Sequence, residues 1–201
     1  MKKANPQVYQ FKIALVGITP QIWRRVQVPE DYTFWDLHVA IQAVMDWGGY
    51  HLHEFSITNP KTGEEDNIGI PFESFDREVK VGWKTKIARY FSPTNKKATY
   101  RYDFGDDWEH TVVLEKILPA KPGTIYPICI GGKRNTPPED VGGLGGFEEF
   151  IEIMKDPDHD EHEETAKWYG DEFDPEHFDC DGVMFLDPKE LLKLALENTV
   201  T

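Results

Sequence analysis

Apolar and polar positions alternate with a period of two along residues 8–16 and 22–28; the second run sets Ile22, Arg24, Val26 and Val28 against Trp23, Arg25 and Gln27. Successive side chains of a strand point to opposite faces of its sheet, so this alternation predicts two strands with one buried face each. Gly17-Ile18-Thr19-Pro20 supplies the turn between them. The period then changes. Leu37, Ala40, Ile41 and Val44 recur at the three- and four-residue spacing of a helix, and Thr33 with Asp36 three residues on makes a variant capping box at its start. Gly48-Gly49 ends the helix, and residues 53–57 return to strand character. Strand, strand, helix, strand is a β-grasp-like opening (ββαβ).

The strongest pattern lies over residues 98–118. Two β-prone runs, 98–104 and 108–118, flank Gly105-Asp106-Asp107, which predicts a hairpin closed by an acidic turn with Gly105 at positive φ and Asp103 capping it. Residues 59–71, rich in Gly, Asn and Glu, read as a loop, and 79–90 is ambiguous between a strand and a helical turn. Residues 126–146 are too rich in Gly and Pro for a regular element and predict a long irregular loop of the kind that is usually functional or mobile. Helices are expected over 147–154, 158–169 and 187–197, the last with an Asp cap and Pro at its first position. The fold class expected is therefore α+β: a single domain with a mostly antiparallel sheet and helices on it, sheet-rich over about 7–119 and loop and helical over about 120–201.

Charge narrows the functions open to such a domain. Lys plus Arg number 22 against 36 Asp plus Glu, a formal net charge of −14, and a field of that sign repels a phosphate backbone, so nucleic acid is disfavoured as a partner. The first residues contain no apolar secretory core and no window has the apolar length of a membrane span. Cys129 and Cys180 lack CxxC spacing. A cytoplasmic address is the expectation.

Several constellations carry candidate chemistry. His51 and His53 on one strand face offer two nitrogen donors, and Asp107 and His110 at the hairpin tip complete a candidate metal set suited to zinc, manganese or iron. Histidines hydrogen-bonded at a sheet edge explain an HxH pair at least as well. Asp106, Asp107, Trp108 and His110 bring acid, indole and imidazole to one binding face, to which Glu139 and Asp140 of the Gly/Pro-rich loop can be added; the plainer role for these two is pairing with Lys133 or Arg134. Gly131-Gly132-Lys133 lacks the spacing of a P-loop, and Cys129 with His110 is a weak nucleophile pair. His159, His162 and His177 sit in an acidic stretch that reads as a solvated face.

The chain resembles the plasmid pRiA4b ORF-3-like family, known from plasmids and transposon passenger genes. The resemblance rests on Ile22-Trp23-Arg24-Arg25-Val26, Leu37-His38, residues 51–55 (HLHEF), 102–110 (YDFGDDWEH), 137–143 (PPEDVGG) and 173–178 (FDPEHF), all in order. It implies an α+β domain and association with mobile elements, and it carries no catalytic residues over. The function expected is a binding or interaction module for a protein or small ligand, with a pocket of His51, His53, Asp106, Asp107, Trp108, His110, Glu139 and Asp140. The alternative is a metal-dependent hydrolase or nuclease using the same cluster, and a DNA-associated accessory role comes third.

Overall fold

The computed structural model describes residues 6–71, 78–170 and 172–198. Strands β1 (Gln7–Leu15) and β2 (Trp23–Pro29) form the opening hairpin, followed by helix α1 (Phe34–Met45) and strand β3 (His53–Thr58). Next come β4 (Glu65–Gly69), β5 (Val79–Val81), the hairpin β6 (Lys97–Tyr102) and β7 (Trp108–Pro119), and β8 (Ile128–Lys133). Helices α2 (Gly143–Lys155), α3 (His162–Tyr169) and α4 (Pro188–Asn198) complete the chain. All eight strands make one sheet in the order β5-β4-β3-β6-β7-β1-β2-β8. Every pairing is antiparallel except β4 with β5, so the fold is α+β with the ββαβ opening in place.

Register decides which residues meet. Phe55 lies opposite Tyr100, Tyr100 opposite His110, and Ile13 opposite Val112, so these side chains share one face. α1 crosses that face, with the Phe34 ring 5.2 Å from Phe55. Its N-terminus is fixed by a full capping box: Asp36 N donates to Thr33 Oγ1 at 3.1 Å and Thr33 N donates to Asp36 Oδ2 at 2.7 Å. Ten of the twelve α1 residues are buried. A helix lying on a sheet alone keeps a polar outer face. Here the outer side is covered by the C-terminal arm, where the Trp35 indole donates to Pro188 O at 2.7 Å.

Four expectations need correction. Residues 65–69 are a strand rather than loop, because they pair with β3 and β5. Residues 128–133 of the Gly/Pro-rich stretch form the edge strand β8, and Gly132 is required there because a Cβ would collide with the Phe178 ring. The helices of the second half run over 143–155, 162–169 and 188–198. At the central turn Gly105 does not take the positive φ; Asp103 (55°) and Asp107 (57°) do, with Gly105 N donating to Asp103 Oδ1 at 2.9 Å. Aspartate tolerates this region because its short side chain bonds locally to the backbone.

Replacing Thr33 by Ala removes one half of the capping box directly and strands the other. A loss of about 1 kcal/mol in urea-unfolding free energy is expected; an unchanged midpoint would show that packing alone sets the start of α1.

Candidate functional site

The face between α1 and the sheet carries a layer of polar side chains inside an aromatic core. Gln42 Nε2 donates to the Tyr100 hydroxyl at 2.9 Å, and that hydroxyl lies 2.8 Å from His38 Nδ1. Because the hydroxyl accepts from the amide, its own proton is directed to Nδ1, which places the His38 proton on Nε2. The His38 ring stacks on His53, centroids 3.5 Å apart and planes 5° from parallel. Burial lowers both imidazoles' pKa values, His53 to about 3, and His53 opposite lowers His38 further. His110, which is fully buried, falls to about 4, chiefly by desolvation and in small part through Arg24. All three are therefore neutral at physiological pH. His110 Nδ1 donates to Trp108 O at 3.2 Å, whereas His110 Nε2, both His53 nitrogens and Gln42 Oε1 have no hydrogen-bond partner. Buried polar atoms without partners are uncommon in folded proteins, so a group of them on one wall calls for an explanation.

His38, Gln42 and His53 face a cavity of about 1030 Å³. It runs along α1, past Trp35, Val39 and Ala43, and its other wall is the C-terminal arm, with Val183, Met184, Leu186, Leu191 and Leu194. Met184 (81% exposed), Leu186 (61%) and Leu194 (55%) leave the mouth of the cavity apolar.

A second polar cluster lies at the rim, where three loops meet. Tyr102 donates to Glu139 Oε1 at 2.5 Å, and Glu139 Oε2 accepts from Gly48 N at 2.7 Å. Desolvation, with the Glu139 carboxylate second, raises the Tyr102 pKa and keeps its proton in place. The Trp47 indole donates to Pro137 O at 2.9 Å. His51 Nε2 stands 3.1 Å from Asp140 Oδ1 and 3.6 Å from Asp103 Oδ2. Gly142 N donates to Asp106 Oδ2 at 3.2 Å, and Gly143, at φ 69°, comes so close to the tip that a Cβ would stand 2.6 Å from Asp106 O.

The eight expected pocket residues thus divide. His53, Trp108 and His110 are core residues beneath α1, and Trp108, 1% exposed, is not part of a surface binding face. His51, Glu139, Asp140 and Asp106 meet at the rim. Asp107 turns away to pair with Arg101 at 2.8 Å. The metal set of His51, His53, Asp107 and His110 does not assemble: among the described residues the group with metal-ligand spacing is His51, Asp103 and Asp140. Glu139 and Asp140 do not pair with Lys133 or Arg134, since Arg134 is taken by Glu176 at 2.7 Å. Cys129 Sγ donates to Gly131 O at 3.7 Å and makes no hydrogen bond to His110, and burial pushes its thiol up to about 12, which disarms it as a nucleophile. His159 is exposed and His162 Nδ1 donates to Ile153 O at 2.9 Å, so neither faces the cavity, whereas His177, also exposed, lies on its lining. Sequence reasoning missed His38, Gln42 and Tyr100 as site residues. The available signal was a polar side chain at positions 38 and 42, inside a helical stripe otherwise apolar.

The family model described as plasmid pRiA4b ORF-3-like protein matches residues 7–182. The chain belongs to the plasmid pRiA4b ORF-3-like family. The uncharacterized protein y4hQ of Sinorhizobium fredii (strain NBRC 101917 / NGR234) is 35% identical over 164 residues, 81% of this chain and 81% of its own. The crystal structure of a protein of unknown function, MM3350 from Methanosarcina mazei Go1, matches at TM-score 0.84 and 55% identity, covering 90% of this chain and 100% of that one. Membership of the pRiA4b ORF-3-like family therefore fixes the fold and leaves the chemistry to the site. No helix among the described residues is long and apolar enough to cross a membrane.

Two measurements check the neutral polar layer. Each of the three histidines has a folded pKa below its unfolded value of 6.5, so below that pH the unfolded chain takes up protons that the native one excludes. Their contribution to stability is complete above 6.5 and is lost as the pH falls toward about 4 for His110 and about 3 for His53. Urea unfolding at pH 7 and pH 5 is expected to differ by about 4 kcal/mol, from about 1 kcal/mol per histidine and pH unit below 6.5; equal stability at the two would refute buried neutral imidazoles. Tyr100→Phe removes the shared hydroxyl from His38 and Gln42 and is expected to cost about 1–3 kcal/mol, with the fold retained by circular dichroism.

Proposed function

We propose that the protein is a binding module for a small, largely apolar molecule that carries an uncharged hydrogen-bonding group. The observation that carries this reading is the cavity of about 1030 Å³ with unpartnered His53 and Gln42 atoms on its inner wall. Ligand sites are concave and mostly apolar, with a few convergent polar groups that set orientation. The neutral imidazole of His53 presents one donor and one acceptor, and Gln42 Oε1 presents an acceptor, so a hydroxyl or amide satisfies them where a charged group would remain poorly solvated. The apolar body of the ligand lies against Val39 and Ala43 on one side and Leu186, Leu191 and Leu194 on the other. A cytoplasmic address belongs to the same reading, supported by free thiols at Cys129 and Cys180, which suit a reducing compartment.

The neutral dye Nile red tests the cavity without knowledge of the natural ligand. Saturable binding with blue-shifted emission is expected for the intact chain, at a ratio near one to one. Ala43→Trp, which fills the cavity from α1, is expected to abolish that signal while leaving the far-ultraviolet spectrum unchanged. Failure of Nile red to bind, or equal binding to the filled variant, would sink the proposal.

A further inference from the structure

We infer that His51, Asp103 and Asp140 form a site for a divalent first-row transition ion at the rim of the ligand cavity, whose lining His51 shares while the two aspartates lie outside it. Three loops deliver these residues. His51 precedes β3, Asp103 follows β6 in the hairpin turn, and Asp140 precedes α2. One nitrogen and two carboxylate oxygens, one from each residue, lie within 4.8 Å of one another. Ligands about 2.0–2.2 Å from a zinc-sized ion stand roughly 3.0–3.5 Å apart in tetrahedral or octahedral arrangements. The separations of 3.1 Å and 3.6 Å from His51 Nε2 to Asp140 and Asp103 are of that size.

Proximity alone describes an ordinary ion pair, and two further observations point past it. His51 Nε2 is shut off from solvent and makes no hydrogen bond. Asp140 Oδ1, at 3.1 Å, is near enough and so must stand off the line on which the ring N–H would point, while Asp103 Oδ2, at 3.6 Å, lies just beyond hydrogen-bond reach. An imidazole nitrogen hemmed in by oxygens and bonded to none is what remains when the common partner of all three is a cation between them. The charges give the second observation. Asp103 is 9% exposed, and neither its Oδ2 nor the Asp140 carboxylate has any polar partner other than His51 among the described residues. Two carboxylates facing one imidazole leave acceptor oxygens in excess of donors, an arrangement that suits a bound cation.

The frame is rigid before any ion arrives. Asp103 N donates to Leu52 O at 3.0 Å, Asp107 N to Asp103 O at 2.7 Å, and Gly105 N to Asp103 Oδ1 at 2.9 Å. On the other side, Glu139 is held by Tyr102 and Gly48, which fixes the residue next to Asp140. The mixed nitrogen and oxygen set selects zinc or manganese over calcium and magnesium, whose sites are all oxygen. The Asp140 side chain is 70% exposed, so the ion keeps open positions toward solvent for water or for an oxygen of another molecule.

The test uses the intact chain, stripped with chelator and then titrated with zinc chloride or manganese chloride by calorimetry. One equivalent is expected to bind wild type. Asp140→Asn and His51→Gln are each expected to weaken binding by more than about tenfold, since even outer-shell changes cost that much in metal sites. Asp140 is a surface side chain, so Asp140→Asn keeps the fold, and circular dichroism verifies it. His159→Ala is expected to bind as wild type does. Absence of binding to wild type, or unchanged binding in Asp140→Asn and His51→Gln, overturns the inference. Nile red binding by the Asp140→Asn variant reports on the cavity separately, so failure of one proposal is distinguishable from failure of the other.

Discussion

A buried guanidinium with no carboxylate opposite it among the described residues holds the parts of this molecule in register. Arg24 of β2 is 1% exposed, and it donates from Nε to Val44 O (2.8 Å), from Nη1 to Trp23 O and Lys133 O (both 3.0 Å) and from Nη2 to Thr136 Oγ1 (2.6 Å). The Phe178 ring covers it, 3.9 Å from the guanidinium carbon. Burial lowers its pKa to about 10, which leaves the charge in place at neutral pH. Burying a cation costs several kcal/mol, and hydrogen bonds from a charged donor contribute about 1.5–3 kcal/mol each, so the residue is tolerated only while all its acceptors stay in position. Those acceptors come from the end of α1, from β2, from the end of β8 and from the segment after it. A lysine has neither the fork geometry nor the flat face needed to reach them together.

The rim is built outward from that anchor, residue by residue. Thr136 is fixed by Arg24, Pro137 by the Trp47 indole, and Glu139 by the Tyr102 hydroxyl and Gly48, so that Asp140 arrives beside His51. The segment has no helix or strand to stiffen it between β8 and α2. Its order comes from partners spaced one to two residues apart, each supplied by a different part of the domain. This is how an irregular segment can present a carboxylate with the positional accuracy of a regular element. The same segment receives the C-terminal arm, since Asn135 N donates to Pro175 O at 3.0 Å and its side chain to Asp174 O at 3.1 Å.

How much of this was legible in the sequence follows from which interactions are local. The opening hairpin, the Thr33 cap and the β6–β7 hairpin depend on neighbours within a few residues, and their patterns announced them. β4 was hidden because Glu65-Asp66-Asn67 lacks apolar alternation; it is a strand because β3 and β5 pair with it. The family resemblance was carried by motifs that in space turn out to be pieces of one arrangement: Arg24, His38, His51, Tyr102, Glu139 and Phe178 all belong to the cavity or its rim. Their joint role is not readable from spacing, because residues up to 153 positions apart touch, as Trp35 and Pro188 do. The expected metal set failed for a physical reason. Strand parity sends His53 and His110 into the core, where desolvation keeps them neutral, while the turn at Asp103 to Asp107 sends one carboxylate toward His51 and the other toward Arg101.

The family match ends at residue 182, and the cavity does not. Its inner wall, with His38, Gln42 and His53, lies within the matched residues, whereas Val183, Met184, Leu186, Leu191 and Leu194 of the outer wall lie beyond them. The two walls also differ in kind. The inner one is set by the sheet register and by hydrogen bonds to Tyr100, and a change there disturbs the core. The outer one is apolar, partly exposed and joined to α1 chiefly by burial and the Trp35 to Pro188 hydrogen bond, so its side chains can change with little cost to folding. Shape selection can therefore reside in the arm while the polar end of the site stays fixed by the domain. The strongly negative surface acts on the same division, concentrating cations at the carboxylate rim and leaving the neutral interior for an uncharged molecule.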